Sequence, residues 1–326
     1  ENQITMQAFS HSAAAVMRIL LMTAVGCFCG RMGWMKREHK AFLVKYIMNI
    51  ALPCMCISGL MGKVSHALLF QMRMVLLVSV CALCVLFALA FLLGRLLRLP
   101  PKKLGVFVVM CFVANSMFIG YPMCTALFGD AAVPVVLTYY IVNTLAFQTV
   151  GVAFLNYGGA QTQKRSFGAL IKAFIKPPLY VIAVCVILIL CDVTLPKLVL
   201  DFAGYMGNTV SPIALLYTGF VIYELYETKK ASPQTRKDSP AVTLSLLLVL
   251  LFRFVLAPVC CVLFCRLFGM EGSIKSILMI EIAMPVMTQV VVLSAECGAD
   301  ESYAALGMTL STIACFVSVP ILMLFV

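Results

Sequence analysis

Long apolar runs separated by short polar stretches organise the chain from end to end. Ten runs are long enough to cross a bilayer: residues 8–30, 41–61, 72–97, 104–127, 132–156, 178–195, 202–223, 241–267, 273–296 and 302–326. A spanning helix takes about 20 residues. Apolar and polar positions do not alternate as they do in membrane barrel strands, so helices are expected throughout. The polar stretch at 158–177 has a pattern of its own. Phe167, Leu170, Ile171, Phe174 and Ile175 recur at helical spacing opposite Lys164, Arg165, Lys172 and Lys176. This predicts a short helix on the inner membrane surface, within a linker over 157–177. Residues 224–240, with Pro233 and Pro240, read as a flexible cytoplasmic loop, and Pro212 falls near the middle of the seventh run.

Composition narrows the class. Of 326 residues, 63% are hydrophobic and 11% charged, with a mean hydropathy of +1.06. Soluble domains are about half apolar and about a quarter charged. An all-α polytopic membrane protein remains. The net charge of +11 is not spread evenly: seventeen of the 24 Lys and Arg fall between alternate runs, at 31–45, 95–103, 164–176 and 229–237. The basic side faces the cytoplasm. Ten spans then place both termini outside, in a plasma (inner) membrane. No basic stripe with interleaved aromatics is present, so nucleic acid is not an expected partner. The fifteen cysteines sit mostly within apolar runs without nearby histidine, and read as small buried hydrophobes rather than a metal site. The first run continues past the length of a signal-peptide core, so no cleavable leader is expected. No phosphate-binding loop and no deep histidine are present. Neither a pump, an enzyme nor a cofactor is therefore expected.

The two halves of the chain look related. Phe128-Gly129-Asp130 follows the fourth run, and Cys297-Gly298-Ala299-Asp300 follows the ninth. Asn143-Thr144 and Ser311-Thr312 then occur in the fifth and tenth. Five spans per half is odd, so the second half would be inverted in the membrane, the arrangement of many secondary transporters. The fourth run holds Asn115-Ser116-Met117-Phe118-Ile119-Gly120-Tyr121-Pro122, and the ninth holds Glu281-Ile282-Ala283-Met284-Pro285, then Thr288 and Gln289. Such residues interrupt helices. They give either two kinked helices or two broken ones crossing at mid-membrane, whose exposed N–H groups would attract an anion.

Asn115, Ser116, Pro285, Thr288 and Gln289 are the candidate solute-binding residues, with helix–helix hydrogen bonding as the alternative use of the polar ones. Arg18, Arg253 and Glu281 are the ionisable residues deep inside runs. Such a charge survives by pairing or by facing water or solute. Glu281 can pair with Arg253, which still leaves one arginine, so an anionic solute is favoured and Arg253 joins the binding candidates. Arg18 and Glu281 are the candidates for charge pairing or coupling. Glu281 is the only deep carboxylate able to carry a proton. Sodium at freed carbonyls is the alternative coupling ion.

These residues resemble the auxin efflux carrier family of membrane transport proteins. The resemblance rests on Asn115 through Gly120 and Pro122 to Gly129, and on Leu52-Pro53. Ser211-Pro212-Ile213-Ala214-Leu215-Leu216 with Gly219, Met284-Pro285, Gly298 with Asp300, and Ser311-Thr312 with Pro320 extend it. It covers almost the whole chain. It implies ten helices in two inverted five-helix repeats, 1–156 and 178–326, similar to the bile-acid sodium symporters. Helices one, two, six and seven would form a scaffold. Helices three to five and eight to ten would form a moving transport domain, with broken helices four and nine crossing at Asn115 and Pro285. It also implies a homodimer. Asn115-Ser116-Met117 stands where plant carriers have Asn-Pro-Asn, and the long central cytoplasmic loop of the plant proteins is absent. Both differences point to a compact bacterial-type member and away from auxin. The expected function is efflux of small organic anions such as carboxylates by alternating access, with an anion channel or a ligand-sensing membrane module as alternatives.

Overall fold

A computed structural model describes residues 2–61, 66–158, 177–231 and 240–325. The surface helix expected within 157–177 falls on residues 159–176, and half of the loop expected at 224–240 falls on 232–239. Both lie outside the described residues. Every regular element among those described is helical.

The first half holds α1 (Asn2–Arg31), α2 (Arg37–Tyr46), α3 (Leu52–Leu60) and α4 (His66–Leu96). It continues with α5 (Pro101–Phe112), α6 (Tyr121–Phe128), α7 (Ala132–Ala146) and α8 (Val152–Gly158). The second half holds α9 (Pro177–Leu190), α10 (Lys197–Gly207), α11 (Val210–Ala231) and α12 (Pro240–Leu251). It ends with α13 (Ala257–Leu267), α14 (Ser273–Ile282), α15 (Gln289–Glu296) and α16 (Glu301–Leu322). Among the described residues, five stretches are long and apolar enough to cross a bilayer: Glu38–Leu60, Leu68–Leu96, Ser116–Tyr157, Pro240–Leu267 and Glu301–Phe325. The third of these folds back on itself at Gly129, which takes the left-handed φ of 65° that ends α6. Large apolar side chains such as Leu92, Leu263 and Val317 face outward, as a lipid-facing surface requires. The protein is a polytopic membrane protein.

The seventh run departs from its expected form. It is split at Asn208-Thr209 into α10 and α11, and Pro212 lies in the first turn of α11, where its missing N–H breaks no helical bond. Helix α11 then runs on to Ala231, well into the expected loop, where Lys40 ion-pairs with Glu224 at 2.8 Å.

Prolines shape several helices in a common way. Wide π turns at Ile47–Ala51, Ser116–Gly120 and Phe252–Leu256 are each followed, two residues on, by Pro53, Pro122 and Pro258. A proline cannot donate to the carbonyl four residues back and crowds it. That carbonyl belongs to Asn49, Phe118 or Phe254, each inside the turn, and the turn widens. The fourth π turn, Phe147–Gly151, has no proline behind it and ends on a glycine.

The helices pack in two groups. In one, α1 lies along α11, while α3 packs on α9 and α10. In the other, α4 contacts α5, α7 and α13, α14 contacts α13 and α7, and α16 contacts α12 and α15. The groups meet where α1 touches α6 and α16, and where α11 touches the Ser116–Gly120 turn. Small residues bring α1 and α11 close. A Cβ on Gly219 would collide with the Thr23 carbonyl, and one on Gly26 with the Leu216 carbonyl. Cys27 Sγ donates to the Gly219 carbonyl at 3.0 Å. Close approach of this kind drives association where lipid is as apolar as the side chains. Gly219→Ala should force the pair apart and lower stability by about 1–3 kcal/mol. Thermal unfolding of the purified protein reads this as a lower melting temperature, and an unchanged value would contradict the close packing.

Candidate functional site

Helix α5 stops at Phe112 and α14 at Ile282, each followed by a non-helical stretch inside the protein. The two stretches meet. Ala114 and Val286 form an antiparallel bridge, and the Asn115 N–H donates to the Pro285 carbonyl at 2.8 Å. Both helices are therefore broken rather than kinked, and their breaks touch.

Buried backbone needs partners, and side chains from neighbouring helices supply them. Asn143 of α7 brackets Ala114: its Oδ1 accepts from the Ala114 N–H at 3.0 Å, and its Nδ2 donates to the Ala114 carbonyl at 2.8 Å. Ser311 of α16 accepts from the Val286 N–H at 3.0 Å. Asn143 and Ser311 stood out in sequence only as markers of likeness between the halves. Each holds the break of its own half. The glycines that followed the fourth and ninth runs also match, with φ of 65° at Gly129 and 70° at Gly298.

Arg253 binds the break from the other side. It is fully buried in the π turn after α12. Its Nε donates to the Met284 carbonyl at 2.8 Å, its Nη2 to the Ile282 and Met284 carbonyls at 2.6 Å, and its Nη1 to the Cys111 carbonyl at 3.3 Å. These oxygens lie at or just beyond the C-terminal ends of α5 and α14, where the helix dipole is negative and a cation is favoured. The expected pairing of Arg253 with Glu281 is not formed, because carbonyls take up the guanidinium. Glu281, also fully buried, instead accepts from Ser116 Oγ and, at 3.3 Å, from Cys124 Sγ. Arg18 is no interior arginine either. Neighbouring Ile19 and Thr23 face the core, while Arg18 is exposed and its Nε reaches only the Ala14 carbonyl at 3.4 Å.

A small pocket opens beside the crossover, with room in this conformation for little more than a water. Its wall is Met48 from the π turn after α2, Asn115, Met117 and Phe118 from the first break, Tyr140 and Thr144 from α7, and Met287 and Gln289 from the second break. No residue of this wall is charged. Three of its polar atoms, Asn115 Oδ1, Tyr140 Oη and Thr144 Oγ1, are buried without a hydrogen-bond partner. Asn115 Nδ2 is tied to Thr288 Oγ1 at 3.3 Å, which aims the amide. The wall also contains the starts of two helical rods, Ser116–Phe128 and α15, so their positive dipole ends flank the space.

Of the residues expected to bind solute, Asn115 and Gln289 line this pocket and Thr288 orients Asn115. Ser116, Pro285 and Arg253 do not line it. Met48, Met117, Phe118, Tyr140, Thr144 and Met287 were not expected there. Tyr140 and Thr144 are one helical turn apart, a spacing visible in sequence. Nothing marked Met48.

Residues 11–323 match the family described as Membrane transport protein. An uncharacterized transporter of Methanocaldococcus jannaschii is 25% identical over 277 residues, 83% of this chain and 84% of its own length. Another uncharacterized transporter, of Methanothermobacter thermautotrophicus, is 22% identical over 316 residues, 96% of this chain and 98% of its own. The matched region takes in both broken helices and every residue of the pocket wall. The chain therefore belongs to the Membrane transport protein family, the family of the auxin efflux carriers.

Proposed function

We propose that the protein is a secondary carrier that exports small organic anions, carboxylates first among them, by alternating access around the crossover. The observation that carries this reading is the pocket: partnerless polar atoms beside apolar side chains, flanked by two helix N-terminal ends. Helix N-termini favour negative charge. The Asn115, Tyr140, Thr144 and Gln289 side chains offer neutral hydrogen bonds to a carboxylate. Met48, Met117, Phe118 and Met287 suit an apolar portion of the same molecule, and methionine adapts its shape readily.

The moving parts follow from the packing. The group containing α1, α2, α3, α9, α10 and α11 would be the scaffold and the remainder the transport domain. Met48 comes from the first group and the rest of the wall from the second, so the pocket would sit on the sliding boundary. Ten spans as two inverted repeats account for the paired breaks, the paired glycines and the matched roles of Asn143 and Ser311. The charge bias places both termini outside the plasma membrane. A homodimer through the scaffold belongs to the same reading.

Ligands that bind only the folded state raise the melting temperature. A thermal-shift screen of mono- and dicarboxylates on the purified protein, followed by counterflow in proteoliposomes, tests the proposal. Saturable counterflow is expected. Flux without counterflow would make the protein a channel, binding without flux a sensor, and no response to any carboxylate would refute the solute class. Asn115→Ala and Thr144→Val each remove a polar group from the wall and should weaken binding of the best carboxylate about ten- to a hundredfold, since a lost hydrogen bond to a charged group costs about 1.5–3 kcal/mol. Unchanged affinity in both would place the solute elsewhere.

Arg253 has a different part in this scheme, holding the crossover rather than touching solute. Arg253→Gln leaves several buried carbonyls without their donor and should lower stability by about 2–5 kcal/mol. Arg253→Lys should recover part of that loss. A Gln variant with wild-type melting behaviour and selectively lost binding would put the arginine back in the solute site.

A further inference from the structure

Glu281 is the one buried carboxylate among the described residues, and the crossover does not use it. It packs against the first break and does not line the pocket. Its oxygens accept from Ser116 Oγ and from Cys124 Sγ of α6, at 3.3 Å for the latter. Gly120 closes over it. A Cβ there would stand 2.8 Å from Oε1 and 2.9 Å from the carboxyl carbon, so only glycine leaves room for the acid. The other ionisable groups facing it are Arg253 from the π turn after α12 and Tyr139 from α7. Arg253 spends its donors on carbonyls, and no ion pair joins it to Glu281. A lone charge in such an interior is costly.

We propose that Glu281, held by Ser116 and Cys124, is a proton-binding site whose loading and unloading is coupled to the pocket beside the same break. The step is a protonation alone. The carboxylate takes a proton on one oxygen and later returns it, with no exchange of electrons. Binding the proton removes the charge and turns one oxygen from acceptor into donor, so the group facing that oxygen, the Ser116 hydroxyl at Oε1 or the Cys124 thiol at Oε2, must turn from donor to acceptor. Ser116 adjoins Asn115, and the Gly120 N–H donates to the Asn115 carbonyl at 3.0 Å. The turn that closes over Glu281 is thus the turn that positions Asn115 in the pocket wall. A hard cation such as sodium is a poorer fit, because one of the two groups that contact the carboxylate is sulfur. The coupling part of the proposal rests on the pocket being the solute site; proton binding at Glu281 does not.

Infrared spectroscopy of the purified protein in lipid vesicles across a pH titration tests the site without any solute. A protonated-carboxyl band that titrates is expected in the wild type, with loss of that band in Glu281→Gln. Ser116→Ala should shift its frequency, because one hydrogen bond to the acid is gone. This second variant serves if the first does not fold. A band unaffected by either change would overturn proton binding at Glu281. Malonate flux in proteoliposomes then tests coupling. An imposed pH gradient should stimulate wild-type flux and fail to stimulate Glu281→Gln. Equal stimulation of both, or stimulation of wild type by a sodium gradient alone, would overturn it. Wild-type flux that ignores the pH gradient would sink the coupling while leaving the carrier standing. Absence of malonate flux together with a titrating band would count against the solute reading and leave the proton site in place.

Discussion

Backbone that leaves a helix inside an apolar interior must find other partners, and no nearby water is there to supply them. That constraint governs this structure. Between Phe112 and Ser116, and between Ile282 and Gln289, the chain gives up its helical hydrogen bonds. Each break is tolerable because the other lies against it. Bridge pairing of Ala114 with Val286 uses part of the exposed backbone. Asn143, Ser311 and Arg253 use more. The two breaks and their three side-chain partners stand or fall together, since removing any one leaves buried polar groups unpaired.

The prolines feed the same centre. Pro53, Pro122 and Pro258 each widen the turn before them, and those three turns carry Met48, Met117 with Phe118, and Arg253. A regular helix advances its side chains by about 100° per residue. Inserting a residue into one turn rotates everything beyond it relative to everything before. The widened turns therefore let one helix present a lipid-compatible face over most of its length and still direct a methionine, a phenylalanine or an arginine toward the crossover. A local steric fault at proline thus sets the position of a functional group, as π turns often do at functional sites.

Helical class and the position of nearly every helix were legible in the hydropathy pattern, because a lipid-buried helix declares itself by length and apolarity alone. The split of the seventh run was not, since Asn208 and Thr209 are too few to interrupt a hydropathy signal. Both breaks were legible as kink-or-break alternatives from Asn115, Gly120 and Pro285; only the pairing across them separates the two. Arg253 and Glu281 were recognisable as deep and costly, and the simplest economy was to pair them. The structure satisfies them separately, because carbonyls at two helix ends make a better site for a guanidinium than one carboxylate would. Backbone acceptors carry no mark in a sequence, so that solution could not be read in advance. Met48 was invisible for a related reason: one methionine among twenty carries no signal until the fold places it.

Separation of charge from the pocket has a consequence for a carrier. An arginine in the wall would hold a carboxylate through short charge-assisted hydrogen bonds, roughly twice as strong as neutral ones. Tight binding in one conformation slows release in the other, and a carrier must release at every turn. Here the Arg253 guanidinium is locked onto carbonyls, and the Glu281 carboxyl group is hidden behind Ser116 and Cys124. What faces the pocket is partial charge only: two helix ends, two amides, a hydroxyl and a phenol. In the proposed carrier such groups would select an anion by geometry while leaving its binding shallow. Placing both ions one layer behind the wall lets the fold use charge to build the crossover without letting it trap what passes through.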